Sequence, residues 1–152
     1  MTDRTLDDWL RAENFAGPFA RDGNGATPLM RAAQKGEVEM ARKILAAGAD
    51  VAALNADGNS ALWLACFGEN LALLDLLLEA GADIDHCNDN GATALMFAAS
   101  SSRTAMVAHL LQRGADTSAE TPDGFSALDL AGNLEILNLL RAARTRRAAP
   151  AR

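Results

Sequence analysis

The chain has 152 residues, nearly half of them apolar (49%) but only 5% aromatic, with no tyrosine. That length suits one domain with a sizeable core, and the net charge of −6 disfavours a nucleic-acid ligand. No apolar run reaches the length of a membrane span, since Leu71 to Leu78 is broken by Asp75. In chain order, Thr5 to Phe15 reads as a helix, with Thr5 as cap, acids at Asp7 and Asp8, one apolar side of Leu6, Trp9 and Leu10, and Gly17-Pro18 as its stop. It is expected to act as a half-repeat cap over the first full unit, with Trp9 in the core. The first residues carry acids rather than a basic, apolar leader, so no signal peptide is expected. Cys66 and Cys87 suggest a reduced, cytoplasmic setting.

From residue 22 the chain repeats with a period of 33, the mark of a solenoid. Gly25, Gly58, Gly91 and Gly124 follow Asp or Asn and mark hairpin-like turns whose residues tolerate positive φ. Thr27, Ser60, Thr93 and Ser126 are helix caps, Pro28 holds a first helical position, and Leu29, Leu62, Leu95 and Leu128 are buried anchors. Ala32, Ala65, Ala98 and Ala131 are small enough for helices to approach closely. Each unit then has a second helix. Its expected inner faces are Val38, Ala41, Ile44 and Leu45; Leu71, Leu74, Leu77 and Leu78; Met106, Val107, Leu110 and Leu111; and Leu137, Leu139 and Leu140. Gly48, Gly81 and Gly114 end the first three of these helices. Ser100-Ser101-Ser102 predicts a looser turn, and Gly132-Asn133 arrives three residues early, predicting a clipped first helix in the last unit.

The strings T-P-L-M-R-A (Thr27 to Ala32), S-A-L-W-L-A, T-A-L-M-F-A and S-A-L-D-L-A resemble the ankyrin-repeat signature T-P-L-H-x-A, over about Asp22 to Arg141. The resemblance implies an all-α solenoid of stacked helix–turn–helix units linked by hairpin-like loops. One domain over residues 1–152 is expected: a cap at 1–21, full repeats at 22–54, 55–87 and 88–120, a shortened repeat at 121–144 and a frayed basic tail at 145–152. Met30, Trp63, Met96 and Asp129 stand where the family has histidine, so its usual hydrogen bond must be replaced or absent. Arg31 occupies a position held by Leu64, Phe97 and Leu130 elsewhere and is expected to pair with Asp7 or Glu13.

Charge is unevenly spread. All 20 acids lie within Met1 to Leu140, and no Lys or Arg occurs between Lys43 and Arg103, against eight acids. This serves solubility or favours a partner with a basic face. The resemblance implies a non-catalytic protein-interaction module that binds through hairpin tips and first helices. The matching candidates are Leu54, Asp57, Asn59, Trp63, Phe67, Asp89, Asn90 and Phe125, with Leu54, Trp63, Phe67 and Phe125 as an apolar centre in an acidic rim. Trp63 is equally well read as core.

The sequence carries no phosphate loop, dinucleotide fingerprint, nucleophile elbow or paired-His zinc motif. Asp22 to Gly25 lacks the ligands of a calcium loop, and Asp83, Asp85, His86, Cys87 and Asp89 have no second His/Cys cluster to complete a metal site. Catalysis, cofactor and metal are therefore not expected. The alternative is a small-ligand or metal-dependent activity using the acidic hairpins. Cys66 should be buried and Cys87 exposed, His109 solvated, and the Arg-rich end is read as a favourable helix terminus. The chain is expected to act as a monomeric regulator, adaptor or chaperone-like inhibitor. Its Ala/Arg-rich style suggests a bacterial source.

Overall fold

A computed structural model describes residues 4–148. Among these residues there are eight helices and no named strand, an all-α repeat solenoid of helix pairs. They are α1 (Leu6–Ala12), α2 (Pro28–Lys35), α3 (Val38–Ala46), α4 (Ala61–Phe67), α5 (Leu71–Glu79), α6 (Ala94–Ser100), α7 (Thr104–Gln112) and α8 (Leu134–Ala148). The chain falls into two compact units divided between Asp83 and Ile84.

In the first unit α2 packs on α4 and α3 on α5, so first helices meet first helices and second meet second. Small residues let this happen: Ala32, Ala33 and Ala65 are fully buried beside the anchors Leu29 and Leu62. Gly68 makes the closest approach. A Cβ there would sit 2.9 Å from the Gln34 carbonyl oxygen and 3.0 Å from that of Ala33. In the second unit α6 packs on α7 and α7 on α8. Gly132 repeats the device, its N–H donating to the Ala99 carbonyl at 2.8 Å.

The second helices bury one register in every copy. Met40, Ala41 and Ile44, then Leu73, Leu74 and Leu77, then Met106, Val107 and Leu110 are enclosed. The expected faces are thus partly corrected: Val38, Leu45, Leu71, Leu78 and Leu111 are only half-buried. On α8 it is Ile136 and Leu140 that go inward, with Leu137 and Leu139 half-buried. Each fully buried leucine contributes about 1.5–3 kcal/mol.

The loops are organised by a residue the turn reading passed over. Asp22, Asn55 and Asn88 each accept, through one side-chain oxygen, from backbone N–H groups two and four residues on, at 2.9–3.0 Å. Thr121 accepts once, from Phe125 N–H at 3.1 Å. Only the glycine of each Asp-Gly or Asn-Gly pair reaches positive φ, at 75°, 76°, 76° and 85° for Gly25, Gly58, Gly91 and Gly124. Among the described residues strand pairing is confined to isolated bridges, Cys87 with Thr93 and Glu120 with Ser126.

The cap helix is shorter than expected. Thr5 caps it, accepting from Asp8 N–H at 3.1 Å, but it ends at Ala12 rather than Phe15 because Asn14 turns left-handed (φ 64°). That turn swings Phe15 back under the helix, where it stacks on Trp9 with centroids 6.4 Å apart. Trp9 is fully enclosed and donates its indole N–H to Glu37. Arg31 meets Glu13 at 3.1 Å and Asp22 at 3.0 Å, lies over the Phe15 ring, and leaves Asp7 aside; Lys35 also pairs with Glu13.

At the other end the last repeat has no first α-helix, only hydrogen-bonded turns over 127–130. Leu128 and Ala131 there are half-buried, not the enclosed anchors their counterparts are. The α8 helix runs to Ala148, four residues past its expected end at Arg144. Residues 149–152 of the expected tail lie outside the described residues.

Candidate protein-interaction surface

Each repeat opens its first helix, or in the last repeat the turns that stand in its place, with a side-chain cap, and the residue three further on decides whether the bond is returned. Thr27 Oγ1 accepts from Met30 N–H at 3.2 Å, while Thr27 N–H donates to Met30 Sδ at 3.4 Å. Thr93 and Met96 form the same pair at the same distances. In the last repeat an Asp129 oxygen accepts from both the backbone N–H and the hydroxyl of Ser126, at 2.9 and 3.0 Å. Those bonds hold the Asp129 carboxyl below the usual carboxylate range, with the charge of Arg144 adding to the effect. The bond expected from histidine is therefore replaced in three copies. In the second copy Ser60 Oγ accepts from Trp63 N–H at 3.4 Å, but an indole has no acceptor to return it. Trp63 sits there half-buried.

In the first unit the loop tips are tied by Ala56 N–H donating to the Asn24 carbonyl at 2.9 Å, and by Arg21 bridging the Gly25 and Leu54 carbonyls at 2.9 and 2.7 Å. This holds Leu54 with 39% of its surface exposed, and Asp57 is exposed at the turn. Phe67, the last residue of α4, is 47% exposed. Asn59 is the correction. Only 8% exposed, it faces inward, and its carbonyl closes the loop by accepting from Asn55 N–H. Phe19 (61% exposed) is a further uncovered aromatic that the repeat reading passed over, because it precedes the first full copy.

In the second unit Asp89 and Asn90 are exposed on the turn before α6, and Phe125 is 49% exposed on the next loop along the chain after α7. There Pro122 packs on Gly91, with Cδ 2.5 Å from where a Cβ would be. Proline has no N–H to repeat the Ala56 bond. Ser100, Ser101 and Ser102 are exposed; Ser102 holds φ 59°, where the first copy has Gly36 at 73°. Cys66 is buried, Cys87 exposed, and neither is in a disulfide among the described residues; His109 is half-buried rather than solvated. Among the described residues no three His, Cys, Asp or Glu side chains gather as a metal ligand set, and no helix is long and apolar enough to cross a membrane.

The family model described as ankyrin repeats (3 copies) matches residues 8–86 and 68–147. No curated protein matches the sequence significantly. The four copies counted from the residues differ slightly from the model's three, and the match runs from residue 8, within α1, to residue 147, within α8. The chain belongs to the ankyrin-repeat family.

Proposed function

We propose that the chain is a non-catalytic binding module that holds a partner protein on its loop tips and first helices. Ankyrin repeats are in general protein-interaction modules, and the finer reading rests on this chain's own residues. The observation that carries it is the exposure of Phe67 at the end of α4 and of Leu54 at a loop tip, large apolar side chains that, with Phe19, the first unit leaves uncovered. Burying them against a partner removes apolar surface from water, and acids nearby select for a basic face on that partner. Asp57 in the first unit, and Asp89, Asn90 and Phe125 in the second, are assigned to the same role. Asn59 drops out, since its side of the loop is closed. Trp63 is assigned to contact through the exposed part of its ring.

A regulator, adaptor or chaperone-like inhibitor is the kind of protein this surface suits. Two cysteines outside any disulfide are in keeping with a reducing, cytoplasmic setting. The test is co-purification with the tagged chain from its native cell, then competition with Phe67→Ala. The variant is expected to lose about 1–2 kcal/mol of binding while its helicity is unchanged. Undiminished competition would remove Phe67 from the surface.

A further inference from the structure

A cavity of about 330 Å³ lies in the second unit, between the turns of the last repeat and α8. Its volume is at the small end for ligand pockets and suits an amino acid rather than a protein segment. The walls carry both signs of charge, Glu120 and Asp129 on one hand and Arg144 on the other, with Thr117 between and Leu128 and Leu140 as apolar floor. Here Arg144 makes no ion pair within 4.0 Å among the described residues.

The groups are also held ready. One Asp129 oxygen is fixed by the backbone N–H and hydroxyl of Ser126, which leaves the other free to face a ligand. Those bonds and the charge of Arg144 keep Asp129 ionised at neutral pH. The Glu120 carboxylate makes no hydrogen bond among the described residues.

Two carboxylates and one guanidinium call for a ligand that carries both a cationic and an anionic group. We infer that this cavity takes a basic amino acid with a free α-carboxylate, whether the free amino acid or the last residue of a peptide. The carboxylate pairs with the Arg144 guanidinium, which can meet it bidentately, and the side-chain cation with Glu120 and Asp129, joined by the α-ammonium where the amino acid is free. The cavity lining shares no residue with the partner surface proposed above, and neither reading depends on the other.

The test is calorimetric titration of the full chain with L-lysine, L-lysinamide and Nα-acetyl-L-lysine. Saturable binding of L-lysine is expected, with at least a tenfold loss for lysinamide, which lacks the carboxylate, and for the Arg144→Gln protein. Glu120→Gln should weaken binding about fivefold, and because that side chain makes no hydrogen bond among the described residues, the variant keeps its fold. Nα-acetyl-L-lysine binding as well as L-lysine identifies a peptide C-terminus; binding of L-lysine alone identifies the free amino acid. Absence of saturable L-lysine binding, or lysinamide binding equally well, overturns the assignment.

Discussion

Met30, Met96 and Asp129 show how a repeat can lose its signature residue and keep the bond. A thioether is a weak acceptor, but at the third helical position it reaches back to the cap's own N–H, and a carboxylate does so more strongly. Thr93→Ala, which removes the acceptor for Met96 N–H, should therefore cost about 1 kcal/mol in urea unfolding. Ser102 carries the opposite lesson. At φ 59° it occupies a conformation that favours glycine, and its hydroxyl is exposed. Ser102→Gly is expected to raise stability by up to about 1 kcal/mol, the relieved left-handed strain outweighing the added freedom of the unfolded chain. Gly68→Ala goes the other way, since its Cβ would press on two backbone carbonyls that cannot step aside. A loss of about 1–3 kcal/mol is expected. These positions were only partly legible beforehand. The period marked Thr93 as a cap, but nothing in the string of letters says that methionine sulfur will stand in for imidazole. Nor does it say that Asn55 rather than Asp57 organises the loop.

Among the elements, the cap helix departs most from a generic repeat. Its indole, the Phe15 ring and Arg31 form one cluster, closed by Glu13 and Asp22. Hydrogen bonding from Lys35 holds the Glu13 carboxyl below its ordinary value of 4.5, with Arg31 adding to it; the Ala26 N–H is the chief cause for Asp22, below 3.8. Depressed carboxylate values mean that the folded state favours the ionised form. Their stabilisation is present above the unfolded values and drains away as pH falls through the folded ones, below about pH 4. Wild-type protein should lose about 1 kcal/mol more than Arg31→Leu between pH 7 and pH 3 by urea unfolding, the partial exposure of Arg31 keeping the figure small. Equal losses would show that the pairs contribute nothing. The second helices explain why faces were harder to read than periods. Six of the eight residues from Leu71 to Leu78 are leucine, so spacing alone cannot choose between Leu71 and Leu73. Packing of α3 on α5 chooses Leu73. On α8 the deletion of three residues in the preceding turn shifts the register and brings Ile136 inward. Asn70 and Asn133, which cap α5 and α8 and also bond the preceding copy, are visible in sequence only once that shift is counted.

For the molecule as a whole, the repeat period alone was enough to identify stacked helix pairs, because glycines, caps and anchors recur at fixed spacing in chemically distinct roles. The candidate surface was less legible. Exposure of Phe67, Leu54 and Phe125 follows from their places at helix ends and loops, whereas Asn59 has the same spacing but is closed in by Asn55. Cooperative stacking itself is open to a direct check. Leu77 is wholly enclosed, and Leu77→Asp buries a carboxylate without a partner, so the helical circular-dichroism signal should collapse at room temperature. The most direct measurement for the central claim is the affinity of the co-purified partner for three purified proteins: wild type, Phe67→Ala and the control Leu134→Ala, another exposed apolar residue, on α8. Binding weakened at least fivefold by Phe67→Ala alone, with unchanged circular dichroism for all three, is the predicted result. Equal affinities for the three would contradict the assignment of this surface to partner binding.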